Sequence, residues 1–78
     1  MSNAWETAVE DVENVIHSRF GIDTDVVRVS YIHDRLDYDM IERAALYGDD
    51  MEDQYELATN EIERQIIDNH WFPKPIKT

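Results

Sequence analysis

The residues of this sequence that could do chemistry are mainly carboxylates, and three groups of them are closely spaced. They are Asp23 with Asp25, Asp37 with Asp39, and the group from Asp49 to Asp53. Paired acids of this kind open calcium-binding loops, which also need a glycine at the sixth position and a glutamate at the twelfth. None of the groups completes that pattern. We therefore interpret the acids as helix N-caps and solvated side chains, and we expect no metal site.

The other reactive side chains do not form a catalytic pattern. Glu13 and His17 lie four residues apart, but a di-iron bundle site needs Glu-x-x-His from two helices and two further glutamates. A nucleophile needs a neighbouring base, and phosphate loops need glycine-rich segments. The chain has two glycines and no cysteine. We therefore expect no enzymatic activity and no cofactor.

The remaining chemistry of the acids is their charge. The 78 residues carry 18 Asp and Glu against 7 Lys and Arg, a net charge of −11, and residues 34 to 56 hold nine acids and two arginines. Such a surface repels nucleic acid and anionic lipid, so we expect neither as a direct partner. Carboxylates one helical turn apart are separated by about 5–6 Å, which is comparable to the spacing of phosphates along a nucleic-acid strand. The expected partner is a protein with a basic, nucleic-acid-binding surface.

The acids predicted to bind that partner are called the acidic surface below. They are Asp34, Asp37, Asp39, Glu42, Asp49, Asp50, Glu52, Asp53 and Glu56, together with Glu6, Glu10 and Glu13. Small helical proteins are often acidic for solubility alone, and this alternative is as well supported by the sequence as binding is.

The clearest structural signal is an amphipathic first helix, predicted from Ala4 to Phe20. Its apolar residues recur at spacings of three and four. Asn3 and Glu6 are spaced as a capping box, and Gly21 is suited to end the helix. The apolar residues are Trp5, Ala8, Val9, Val12, Val15, Ile16 and Phe20.

Residues 26–33 are ambiguous between helix and strand. The β-branched residues favour a strand, whereas Asp23 or Thr24 resembles a helix N-cap. We favour the helix because a lone strand would leave its backbone groups unpaired. A strand could still pair across a dimer axis.

Two further helices are predicted on either side of Gly48. The third is capped by Asp37 or Asp39, and the fourth ends at Asp68 and Asn69. Three-and-four spacing also runs straight through Gly48, so one long helix is an alternative, since an interior glycine costs only about 1 kcal/mol. The apolar stripe comprises Met40, Ile41, Ala44, Tyr47, Met51, Tyr55, Ala58, Ile62 and Ile66, with Leu57 and Ile67 beside it.

The last residues differ in character, because they are aromatic, basic and rich in proline. We predict a single acidic helical domain over residues 1–72 and a short basic tail over residues 73–78. Trp71 and Phe72 are expected to cap the open end of the bundle, and the alternative is an exposed anchor for a partner.

Together these patterns predict an all-α fold, a compact bundle of three to four short helices in which the first packs on the last. A homodimer is also expected, since so small a core leaves apolar surface to bury. The lack of cysteine and of any run of roughly 20 apolar residues favours the cytoplasm.

In size and charge the chain is similar in type to the small acidic inhibitors of phages and mobile elements, including nucleic-acid mimics that block restriction or CRISPR machinery. We therefore expect a non-enzymatic inhibitor. The alternative function is a protein–protein interaction module that docks through its apolar surface and the Trp71–Phe72 segment.

Overall fold

The computed structural model describes residues 3–71, which fold into five α-helices. These are α1 (Ala4–Glu10), α2 (Val12–Phe20), α3 (Val26–Arg35), α4 (Tyr38–Ala45) and α5 (Met51–Asp68). Residues 3–71 contain no strand, so segment 26–33 is helical and the predicted all-α bundle is confirmed. Phe72 and the predicted tail over 73–78 lie outside the described residues.

Helix α5 is the centre of the bundle, because α1, α2 and α4 all pack against it. Its residues Ala58, Ile62 and Ile66 are completely buried. Full burial of a large apolar side chain stabilises the fold by about 1.5–3 kcal/mol. The predicted packing of the first helix on the last is confirmed. The buried cluster comprises Ala8, Val12, Val15, Ile16, Phe20, Ile32, Leu36, Ile41, Ala45, Ala58, Ile62 and Ile66.

The first predicted helix is interrupted at Asp11, so the expectation of one continuous helix is wrong at this point. The carboxylate of Asp11 does not cap α2 and instead accepts a hydrogen bond of 3.0 Å from the hydroxyl of Tyr55 on α5. Ala8 and Val12 remain fully buried on either side, so the apolar face is continuous through the break. The predicted ends are confirmed: Asn3 and Glu6 form the capping box, and Gly21 ends α2 in the left-handed conformation.

Aspartates begin the other helices. The carboxylate of Asp25 accepts a hydrogen bond from the backbone N–H of Arg28 at 2.8 Å, so Asp25 caps α3 and the predicted caps Asp23 and Thr24 do not. Asp37 caps α4 and Asp50 caps α5 in the same way. Each cap satisfies one N–H group that would otherwise lack a partner in the first helical turn.

Gly48 separates α4 from α5, and the alternative of one long helix does not form. A Cβ at this position would lie 2.6 Å from the backbone nitrogen of Gln54, so only glycine allows the two segments to approach so closely. The apolar stripe is therefore folded back on itself. Tyr47 and Met51, which belong to the apolar stripe, are 85% and 58% exposed, and Met40 is 40% exposed.

The buried amide of Gln65 fixes the other end of α4. The backbone N–H of Asp37 donates to Gln65 Oε1 at 2.8 Å, and Gln65 Nε2 donates to the carbonyl of Asp37 at 3.1 Å. Since α4 begins beside Gln65 and is followed by Gly48 beside Gln54, it runs antiparallel to α5. The helical rise of 1.5 Å per residue places these two contacts about 17 Å apart.

We predict that Gly48→Ala destabilises the protein by about 1–3 kcal/mol, because the added methyl group forces the backbone of Gln54 away. The free energy of unfolding in urea measures the change. Tyr47→Ala is the matched control, since it removes an exposed side chain from the same turn and should stay within about 0.5 kcal/mol of the wild type. A Gly48→Ala variant as stable as the wild type would contradict the close approach.

Candidate functional site: the acidic surface

All twelve residues of the acidic surface are exposed, and the structure divides them among separate parts of the bundle. Asp34, Asp37 and Asp39 lie where α3 meets α4. Asp49, Asp50, Glu52, Asp53 and Glu56 lie at the turn between α4 and α5 and are called the turn group. Glu6, Glu10 and Glu13 lie on α1 and α2, and Glu42 lies on α4.

The acids between residues 34 and 56 therefore do not form one patch. Asp37 contacts Gln65, whereas Gly48, which precedes the turn group, contacts Gln54. The two ends are separated by about 17 Å along α5. A partner that contacts both must cover the length of α4.

Two arginines, Arg35 and Arg64, lie near the first of these ends. Arg64 makes ion pairs of 2.5 Å with both Glu61 and Asp68, one helical turn away on either side. The guanidinium of Arg35 lies 3.6 Å from the centre of the Tyr31 ring, and both arginines line one cleft with Asp37. Both arginines therefore lie near Asp37, although Arg64 is already paired with Glu61 and Asp68.

One cation lies near the turn group: Arg43 on α4, which lines a cleft with Leu46 and Tyr47. Residues 44 to 63 contain seven acids and no lysine, arginine or histidine. The last of these acids, Glu63, is neutralised by Arg19 from α2, whose guanidinium also donates to Asn60 at 2.6 Å and to Thr59 at 3.1 Å. The excess negative charge on α5 is therefore greatest at its beginning.

This role of Arg19 was not anticipated from the sequence. The residue lies 44 positions from Glu63, and no local pattern connects the two. The only available signal is that a single cation sits at the end of the first apolar stripe, where it reaches the neighbouring helix. Because α2 and α5 pack together, Arg19 holds the two helices to each other.

Some acids of the acidic surface already have a structural use. Asp37 and Asp50 are N-caps, Glu6 belongs to the capping box, and Asp53 accepts a hydrogen bond from the N–H of Asp49 at 3.3 Å. Among the described residues, none donates a hydrogen bond to the carboxylates of the other eight, which are Asp34, Asp39, Glu42, Asp49, Glu52, Glu56, Glu10 and Glu13. These are the acids that remain available to a partner.

The acids of α1 and α2 lie near the turn group, and one hydrogen bond between Asp11 and Tyr55 joins the two regions. Glu10 and Glu13 line a shallow depression of about 350 Å³ together with Asp11. Asp11 is bonded to Tyr55, the residue next to Glu56. Burial of its hydroxyl and the bond to Asp11 raise the pKa of Tyr55, so the phenol remains protonated and donates at neutral pH. Glu10, Glu13 and Glu56 are thereby held on neighbouring parts of the surface.

Trp71 lies at the opposite end of α5 from the turn group. Its ring is partly buried against the core cluster and meets the edge of the Tyr31 ring, with 6.5 Å between ring centres. This is the packing expected of a cap on the bundle. Phe72, the second residue of the predicted cap or anchor, lies outside the described residues.

Within residues 3–71, the side chains do not bring together three histidines or acids in an arrangement that could hold a metal ion. No helix in this part of the chain has the length and apolar character needed to cross a bilayer.

A comparison of the chain with family models, curated proteins and solved structures found no match. The candidate site is the acidic surface, on the evidence of its exposed and unpaired carboxylates.

The ion pairs around Arg64 predict a specific pH dependence. Hydrogen bonds from Arg64 hold the pKa of Glu61 below its ordinary value of 4.5, against the opposing effect of burial. A carboxyl whose pKa is lower in the folded chain stabilises the fold above that ordinary value, and this contribution is lost as the pH falls through the lowered pKa. Glu61→Gln should therefore destabilise the protein at neutral pH, by about 1 kcal/mol.

The same substitution should also make stability less sensitive to acid. Urea unfolding measured from about pH 6 to about pH 3 should show a smaller loss of stability in Glu61→Gln than in the wild type. Glu42→Gln is the control, because it removes the same charge from an exposed position without an ion pair among the described residues. Equal acid sensitivity of Glu61→Gln and the wild type would contradict the assignment.

Proposed function

We propose that the protein is a non-enzymatic binding protein that occupies the basic, nucleic-acid-binding surface of a partner protein. The observation that carries this proposal is the run from residue 44 to 63, with seven acids and no basic residue, whose first five acids are exposed together at one end of α5. The field of such a cluster attracts a basic surface over several ångströms and accelerates association.

The helical scaffold supports a mimic of nucleic acid more than a general acidic coat. Glu52 and Glu56 are one turn apart on α5, which places their carboxylates about 6 Å from each other. Because α5 is held by the core on its other side, this spacing is maintained before binding. Rigid presentation lowers the entropy lost on association.

The biological class that fits this chemistry is the DNA-mimic inhibitor of phages and mobile elements, of the antirestriction or anti-CRISPR type. We propose that the protein acts in the cytoplasm, where such nucleases work. The analogy rests on charge, size and helical presentation.

The acidic surface can be tested with two variants of equal net charge. Glu52→Gln with Glu56→Gln removes two charges from the turn group. Val27→Lys with Ser30→Lys adds two positive charges on α3, where Val27 lines a cleft beside Trp71. The length of α5 separates that cleft from the turn group by about 27 Å. Both variants change the net charge by the same amount at opposite ends of the bundle.

We predict that only the first variant loses inhibition. The assay measures the displacement of a labelled DNA duplex from purified restriction endonucleases and CRISPR effector complexes, at about 50 mM and about 200 mM salt. Displacement by the wild type should weaken with salt, and the glutamine variant should need roughly tenfold more protein. Equal loss in both variants would indicate a net-charge effect, and failure of the wild type to displace any duplex would contradict the proposal.

The alternative docking role of the Trp71–Phe72 segment makes a different prediction. Trp71 contributes to the core cluster, so the truncation should begin after it. Under the proposed function, deletion of residues 72–78 leaves duplex displacement within about threefold of the wild type, because the turn group is intact. Loss of displacement in a truncated protein that still folds by circular dichroism would favour the docking role.

A further inference from the structure

Three large apolar side chains are exposed in the turn between α4 and α5. Leu46 is 72% exposed, Tyr47 is 85% exposed and Met51 is 58% exposed. We call these three residues the turn cluster. They lie within six consecutive residues, so the chain itself keeps their Cα atoms within about 19 Å of one another.

The fold does not require apolar residues at these positions. The turn is made by Gly48, which allows the close approach of Gln54, and by Asp50, which caps α5. The turn cluster belongs neither to the buried core nor to the partly buried residues packed against it. Exposed apolar residues grouped at one place on a strongly charged protein are typical of an interaction site.

Two residues of the turn cluster line a cleft on the protein surface. Leu46 and Tyr47 line a cleft of about 210 Å³ together with Arg43. Tyrosine is enriched at the energetic centres of protein interfaces, because it buries a large apolar area with few rotatable bonds. Tyr47 is the most exposed large apolar side chain among the described residues.

The charges around the turn cluster determine which partner fits. Asp49, Asp50, Glu52 and Asp53 are exposed in the same turn and in the first turn of α5. Arg43 lines the cleft with Leu46 and Tyr47, so these four acids outnumber the one cation beside them. A second copy of this chain would bring two such net-negative groups face to face, at a cost from like-charge repulsion. A basic protein surface gains from the same charges.

We propose that the turn cluster is an apolar anchor at the centre of the turn group, and that it enters an apolar pocket within the partner's basic surface. This inference rests on the proposed function and specifies its partner: a basic protein surface that contains an apolar recess. In such an arrangement the carboxylates govern the rate of association and its salt dependence, and the buried anchor governs the rate of dissociation.

Two synthetic peptides of equal length and charge serve as probes of this chemistry. One alternates lysine with serine, and the other alternates lysine with leucine. Binding to the immobilised 78-residue protein is measured by surface plasmon resonance at two salt concentrations. The wild type should bind the lysine–leucine peptide roughly tenfold more tightly, through slower dissociation.

Two double variants then show which residues are responsible for the preference for the lysine–leucine peptide. Leu46→Ser with Tyr47→Ser should reduce the preference to less than about threefold while the salt dependence is retained. Val26→Ser with Val27→Ser is the matched control, because these valines are 79% and 77% exposed on α3, and it should keep the tenfold preference. Loss of the preference in the control as well would overturn the inference.

The remaining outcomes separate this inference from the function on which it rests. Equal, salt-dependent binding of both peptides to the wild type would overturn the anchor and leave the acidic surface in place. Absence of binding to either peptide would contradict both. A wild-type dimer in sedimentation velocity that is lost in Leu46→Ser with Tyr47→Ser would assign the turn cluster to self-association and overturn the anchor.

Discussion

The burial of one apolar stripe on α5 holds the other packed helices in place. Ala58, Ile62 and Ile66 are fully buried, and α1, α2 and α4 all pack against this helix. A net charge of −11 on 78 residues opposes any compact state through self-repulsion. The stripe must therefore exclude every acid, and the predicted binding acids are accordingly exposed. Core packing and the acidic exterior are two results of the same constraint.

The structure distributes the charges more unevenly than their order along the chain suggests. Arg19 and Arg64 neutralise acids in the middle and at the end of α5, and Arg35 lies against Tyr31 near the start of α4. The acids at the beginning of α5 form no ion pair among the described residues, and Arg43 is the cation nearest to them along the chain. A chain with a general acidic excess thereby acquires one strongly negative end, beside three exposed apolar side chains.

Local signals predicted the helices well because they act within a few residues. The capping box of Asn3 and Glu6 and the left-handed Gly21 could be read directly, since both depend on neighbouring backbone groups. At the start of α3 the prediction of Asp23 or Thr24 as the cap was wrong, because Asp25 caps the helix. The choice of cap depends on which residue has an extended backbone when α3 packs.

The amino-acid sequence by itself determined the all-α class, most helix boundaries, the buried stripe of α5 and the excess of acids, because periodicity and caps are local properties. Only the tertiary structure decided that Asp11 accepts a hydrogen bond from Tyr55, that Arg19 forms an ion pair with Glu63, and that the chain folds back at Gly48. These contacts join residues from different helices or depend on a space too small for one methyl group. The apolar spacing that continues through Gly48 places Tyr47 and Met51 on one stripe with buried residues of α5, whereas the fold leaves both exposed beside the acids.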